Sequence, residues 1–358
     1  MIATCFENLG DTCRAAGAAV RDQRGVSIAL AAQRILAGLL CTVALLVQRG
    51  VVAAALAFAI ATMIGAGMHV TPLRRAGVHF VRSAVKPAQL RRFLPGTTVL
   101  GLNNAVLTSL FRLDAVLLGL MQNDVAVATY AVAYRLLDTV LFVAQNVRQT
   151  LVPVMAAALF SETGPIGVRR PLEAGWTFCA MVYAPFAAVC LTNASPLISL
   201  LFGDTYSEAS RSSLQWLAPV PLLYALGFLV TGAFQAAGRN SAMLWCSATA
   251  TVVNVALNLV LIPSYSGAGA AAATTASYAV NLALALMLLS AAGVRPRLAR
   301  SLAAALAGAG AAGASMAALA LPLLPELCIA GGVYVLVWSL LFAVGGGHRE
   351  LLTILRPR

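Results

Sequence analysis

Between Leu102 and Pro153 the chain reads LNNAVLTSLFRLDAVLLGLMQNDVAVATYAVAYRLLDTVLFVAQNVRQTLVP, with Arg112, Asp114, Arg135, Asp138 and Arg148 set into apolar surroundings. A charge near the centre of a membrane helix costs roughly 2.5–3.5 kcal/mol on insertion scales when unpaired, so each of these should face protein or water and not lipid. At about 100° per residue, Arg135, Asp138, Phe142, Gln145, Asn146 and Gln149 fall within about 100° of arc and form one polar stripe. Asn104, Thr108 and Arg112 repeat at i, i+4 and i+8 and form a second.

Two adjacent antiparallel helices with such stripes are expected either to line a hydrated cavity or to pair their charges and lock together. Asp114 lies about eight residues before the turn near Gln122 and Arg135 about thirteen after it, little more than one helical turn apart in depth. An Asp114 to Arg135 contact is therefore expected. Gln145, Asn146 and Gln149 continue the stripe where no acid is available, which favours a wet lining over pairing alone.

The elements that hold these residues follow from composition. The chain has 358 residues, 60% of them apolar and only 10% charged. Soluble domains carry about 25% charged residues, so this chain cannot coat a globule of its size with polar groups, and the bilayer is its expected solvent. That excludes a soluble enzyme, a nucleic-acid module and a disordered tail. The net charge of +12 is spread between apolar runs and not along one stripe. It fits membrane topology and not DNA. Lys86 is the only lysine, and the wealth of Arg, Ala and Gly hints at a GC-rich bacterial source.

Runs of about 20 apolar residues predict ten helices, near 27–47, 51–70, 95–120, 125–157, 174–194, 213–235, 241–262, 269–292, 301–321 and 327–345. With that count, eighteen basic residues fall in the loops of one side and two, Arg49 and Arg211, in those of the other. The positive-inside rule then puts both termini in the cytoplasm. Residues 1–26 have no charged start followed by an apolar core, so they are not a secretory signal. Their spacing of Phe6, Leu9, Cys13 and Ala16 reads as an amphipathic helix lying on the membrane or as a frayed end.

Seven cysteines without a C-x-x-C pair and three histidines without ligand spacing predict no metal and no cofactor. Gly308, Gly310 and Gly313 match G-x-G-x-x-G, but no strand precedes them, and close helix packing is the better reading. Pro185, Pro219 and Pro221 fall inside expected spans and read as kinks. Asn254 and Asn258, one turn apart, either face the cavity or bond across helices.

The blocks FRLDAVLLGLMQNDVAVATYAVAYRLLD, LFGDTYSEA, GAFQAAGRNSAM and NVALNLVLIPSYSGAGAAAATTASY, in that order, resemble the polysaccharide flippase branch of the multidrug/oligosaccharidyl-lipid/polysaccharide exporter superfamily. The resemblance implies an all-α polytopic membrane fold of two six-helix lobes around a central cavity. On that pattern 94–292 form the second lobe, 293–346 a C-terminal helix pair, and 27–70 the last two helices of an incomplete first lobe. The segments 1–26, 71–93 and 347–358 are then a cytoplasmic amphipathic segment, a basic linker and a tail. About four N-terminal helices of the family pattern have no counterpart.

What the resemblance implies for function is the movement of a polyprenyl-pyrophosphate-linked oligosaccharide across the bacterial cytoplasmic membrane by alternating access, for cell-surface polysaccharide synthesis. Its pyrophosphate needs cations with paired donors, a role suited to Arg112, Arg135 and Arg148, and its sugars need amides such as Asn104, Gln145, Asn146 and Gln149. Asp114 and Asp138 would set Arg geometry through ion pairs or carry a coupled proton. The implied partners are membrane lipid, the polyprenyl-linked glycan and a glycan polymerase or other assembly proteins, with no nucleic acid. No bond is made or broken, so no enzyme is implied.

Three alternatives stay open. A membrane enzyme on lipid-linked glycans usually needs a large outer loop, and the longest here is 195–212, with Asp204, Glu208 and Arg211 but no His. A drug or cation antiporter of the same superfamily would favour buried acids, against Arg34, Arg112, Arg135 and Arg148 set beside Asp114 and Asp138 here. The third is a truncated copy without transport of its own.

Overall fold

The structure is a computed structural model that describes residues 6–7, 9–13, 16, 23–48, 50–75, 77, 87–161, 164–296, 299–319 and 322–344. Most of the expected amphipathic segment 1–26, residues 76 and 78–86 of the basic linker 71–93, and the whole tail 347–358 lie outside them. The chain divides into two compact units, Met1–Arg92 and Phe93–Arg358.

In the first unit, α1 (Gln23–Gln48) and α2 (Val51–Arg75) pack along each other as a hairpin. Lipid-facing positions such as Leu46, Val47 and Val52 are about three-quarters exposed, as expected where the solvent is hydrocarbon. Between the helices Gln33 and His69 are buried and share a 3.0 Å hydrogen bond. Gly65 makes room for it, because a Cβ there would stand 2.3 Å from Gln33 Cγ. Arg34, on the other face of α1, reaches Glu7 at 3.7 Å.

Helix α3 (Pro87–Met121) leads into the second unit, whose other elements are α4 (Asp124–Leu159), α5 (Arg169–Thr192), α6 (Ala194–Phe202), α7 (Ser207–Leu217), α8 (Val220–Ala236), α9 (Asn240–Ala291), α10 (Ala299–Leu319) and α11 (Leu323–Val344). α4 starts cleanly because the Asn123 side chain accepts from the Ala126 amide at 2.9 Å and Asp124 sits in its first turn, an N-cap with a favourable charge for the helix dipole. α8 is apolar on every side and correspondingly central, packed by α4, α5 and α9. The Trp176 indole donates to the Leu226 carbonyl at 3.1 Å and ties α5 to it. Tyr183 of α5 inserts into α4: its hydroxyl donates to the Val140 carbonyl and accepts from the Ala144 amide, both at 2.9 Å. A hydroxyl placed between those two groups opens one rung of the helical ladder.

Among the described residues eight helices are long and apolar enough to cross a membrane, or nine when α3, bent by 44° between its two halves, is one span. The expected count of ten separates 241–262 from 269–292, which the structure joins as α9. That element nevertheless reverses at Ser266, whose φ of 50° and ψ of −130° are not helical. Asp114 hydrogen-bonds both Asn258 and Thr274, sixteen residues apart and so about 24 Å along a straight helix, and only a fold-back brings both to one side chain. Gly269 permits the tight reversal, since a Cβ there would lie 2.4 Å from the Leu261 carbonyl oxygen.

Other expectations need correction. The loop expected at 195–212 is helical, as α6, a single 3-10 turn and most of α7, with Gly203 taking φ 90° between α6 and that turn. Pro219 and Pro221 fall inside the candidate span Asp204–Ala236, at the break between α7 and α8. They stand at the N-cap and first turn of α8, where a missing amide costs nothing. Gly308 lies against the Tyr334 ring and Gly313 against Thr192, so the glycine repeat lets α10 pack closely on α11 and α5.

Candidate transport site

The polar residues of α3 and α4 divide into two sets that point away from each other. Asn104, Thr108 and Arg112 on α3, and Arg135, Asp138, Gln145, Asn146 and Gln149 on α4, are exposed. They make an open polar face on helices long enough to span a bilayer. Asp138 stands near enough to the Arg112 and Arg135 guanidiniums to feel both charges, although no ion pair within 4 Å joins them among the described residues. Asn146 donates to the Phe142 carbonyl of its own helix at 2.8 Å, and Thr108 to that of Asn104 at 2.8 Å. The guanidiniums and the Gln149 amide remain on the open side.

Asp114 belongs to the other set. It is fully buried, and its carboxylate accepts from Tyr130 at 2.9 Å, from the Asn258 amide at 2.7 Å and from the Thr274 hydroxyl. Asn258 also donates to Asn254 Oδ1 at 3.0 Å. The expected contact with Arg135 is not made. The reason is azimuth: Tyr130 is eight residues past Gln122, level with Asp114, and Arg135 is five residues further, about 140° round the helix at 100° per residue. A helix that presents Tyr130 to Asp114 turns Arg135 outward. Asn258 bonds across helices to Asp114, while Asn254 accepts from Asn258 on its own arm of α9.

Arg148 takes a third position. It is half-buried, its guanidinium donates to Gln235 Oε1 at 2.8 Å, and it lies 4.1 Å over the Phe228 ring. Gly232 of α8 makes room, because a Cβ there would come within 3.2 Å of the arginine side chain. Aromatic stacking and a neutral acceptor hold this cation without neutralising it.

A small cavity of about 20 Å³ lies inside the second unit, lined by Asn103, Tyr224, Phe228, Ser247, Tyr278 and Asn281 among others. Tyr224 lies within reach of Gln145 of the exposed face. Chemically the unit thus offers exposed guanidiniums and amides for an anionic, hydroxylated cargo, and a buried carboxylate ringed by hydroxyl and amide groups with no bonded cation. Such a carboxylate suits a proton or another small cation. No cluster of three or more His, Cys, Asp or Glu able to hold a metal occurs among the described residues. Sequence reading missed Tyr130, Thr274, Tyr278 and Asn103. The i, i+4 spacing of Tyr130 and Tyr134 was the available signal, because buried tyrosines need hydroxyl partners.

Residues 100–260 match the MatE family. Among solved structures the chain is similar to a lipid II flippase, MurJ, in its inward closed conformation, with a TM-score of 0.64 at 12% identity, over 88% of this chain and 67% of that one. Both fall in the multidrug/oligosaccharidyl-lipid/polysaccharide exporter superfamily. No curated protein matches by sequence.

Proposed function

From a multi-pass membrane chain that carries a MatE-family domain in a MurJ-like fold, we propose a flippase that moves a polyprenyl-pyrophosphate-linked oligosaccharide across the bacterial cytoplasmic membrane, with both termini in the cytoplasm. The observation that carries this reading is the open face of α3 and α4, where Arg112 and Arg135 stand beside the single acid Asp138 and are flanked by Asn104, Gln145, Asn146 and Gln149. Guanidiniums can grip a pyrophosphate with paired donors while amides satisfy sugar hydroxyls. An excess of cations on that face opposes a cationic drug and favours an anionic lipid head.

Arg148, clamped on Phe228 and Gln235, adds positive potential from within the second unit. Asp114 is the site of the coupled proton, since a buried carboxylate without a paired cation is uncharged or charged according to the face that supplies the proton. The cycle is alternating access and needs no bond chemistry.

Reconstitution tests the reading. Liposomes containing the purified chain and a fluorescent polyprenyl-pyrophosphate oligosaccharide are expected to expose the labelled lipid to an impermeant quencher on both leaflets, and not to move a quaternary ammonium dye. Dye movement without glycan movement would support the antiporter alternative and overturn the proposal.

A further inference from the structure

Asp114 is fully buried, so a proton that reaches it must travel through the protein. The interior of the second unit is polar along one line. On α3, Asn103 lies eleven residues before Asp114, on the same side of the helix. On the descending arm of α9, Ser247 precedes Asn254 and Asn258; on the returning arm, Thr274 is followed one turn later by Tyr278 and then by Asn281. All of these are buried. At 1.5 Å per residue the cavity edge formed by Asn281 and Ser247 lies about 10–16 Å from Asp114 along the axis, and Tyr278 occupies the interval.

Tyr278 lines the cavity and lies within electrostatic reach of Asp114, Tyr130, Tyr134 and Tyr224. Its ring meets that of Tyr224 edge-on at 5.8 Å, and Tyr224 in turn lies within reach of Gln145 on the exposed face. The cavity is large enough for one water, and its largely apolar wall carries polar groups from Asn103, Ser247, Tyr278 and Asn281. Ser247 donates to Asn103 at its wall, so amide and hydroxyl groups are available to hold that water.

We propose that Tyr278 and a water in this cavity form the proton route between the open polar face, entered at Gln145 and Tyr224, and Asp114. This rests on the reading of Asp114 as the proton site. In each transfer the Tyr278 hydroxyl passes its proton to one neighbour as it receives another, so it ends unchanged and only Asp114 gains or loses a proton. The titratable groups facing Asp114 are Tyr130 and Tyr134 of α4 and Tyr278 of the returning arm. Arg112, Arg135 and Asp138 lie on the outer side and make no hydrogen bond to it. No arginine, lysine or histidine bonds the carboxylate among the described residues, so the proton alone changes its charge.

The test is a pH jump on the purified full chain, read by time-resolved infrared absorption of the protonated carboxyl band. That band is assigned to Asp114 by its loss in Asp114→Asn. Tyr278→Phe keeps the ring that packs on Tyr224 and removes only the hydroxyl; Asn281→Leu fills the cavity. Both variants are expected to give the same final band as the unaltered chain but to reach it slower by roughly tenfold or more. A normal rate in Tyr278→Phe overturns the route and leaves Asp114 as the proton site. Absence of any band that Asp114→Asn removes, or a band that responds to added Na+ and not to pH, overturns the reading of Asp114 and the route with it.

Discussion

Two polar regions on the same pair of helices obey opposite rules. The residues around Asp114 are fully enclosed and bonded to one another from α3, α4 and both arms of α9, whereas Arg112, Arg135 and Gln149 on the other sides of α3 and α4 are open. An enclosed polar group must find its partners within the fold, because leaving one unsatisfied costs about 1–3 kcal/mol. An open one at membrane depth is tolerated only where water or a polar cargo meets it. The first arrangement specifies the packing and stores a charge that can be neutralised; the second leaves its bonding capacity for a ligand. Substitutions should separate the two, the enclosed set changing stability and the open set changing transport.

The largest effect is expected from Asp114→Leu, which takes the acceptor from the Tyr130 hydroxyl and from one Asn258 amide hydrogen, while Thr274 keeps the Ala270 carbonyl. A loss of several kcal/mol follows from about 1–3 kcal/mol for each orphaned group, seen as a collapse in folded yield from detergent. Asp114→Asn should retain most of the yield. If Asp114→Leu melts with the unaltered protein, the enclosed network is not structural.

Next is the first unit, where Gly65→Ala forces Gln33 off its place beside His69. A cost of about 1–3 kcal/mol is expected for overpacking, and Gln33→Ala in the same chain should recover most of it. Equal melting of the single and double variants would break the assigned contact.

Smaller still is Tyr183→Phe, which removes the hydroxyl shared by Val140 and Ala144. About 1 kcal/mol is expected, together with faster amide exchange at Ala144 if the helical rung does not re-form. The smallest effect is on the open side: Arg135→Gln should change the unfolding midpoint by less than about 0.5 kcal/mol equivalent, and its effect should add to that of Asp114→Asn within about 0.5 kcal/mol. Strong non-additivity would restore a coupling between the two charges.

How much of this was legible in the sequence depends on which coordinate a residue's role requires. Helical period alone placed Asn104, Arg112, Arg135, Asp138, Asn146 and Gln149 on common faces, and those faces are open in the structure. Apolar length alone located α1, α2, α4 and α5 to within a few residues. Depth was also readable, since counting from Gln122 sets Asp114 level with residue 130. Azimuth between helices was not, so Arg135 was assigned the partner that Tyr130 has. The reversal itself was legible as the break between the spans 241–262 and 269–292, but not the azimuth of its two arms, so the meeting of Asn258 and Thr274 at Asp114 went unread. The helical character of 195–212 was hidden by Gly203 and the cluster of Asp204, Ser207 and Glu208, which reads as a loop until α7 is seen to bury Leu214 and Leu217.

The central claim is that the open face grips the pyrophosphate of a lipid-linked glycan, and Arg135 tests it most directly. Export is measured in cells for the unaltered chain, Arg135→Lys and Arg135→Gln at matched protein levels. Lysine keeps the charge without the paired donors and glutamine keeps neither, so export should fall in that order. An Arg135→Gln protein that exports glycan as well as the unaltered chain would contradict the claim and return this face to a role in helix pairing.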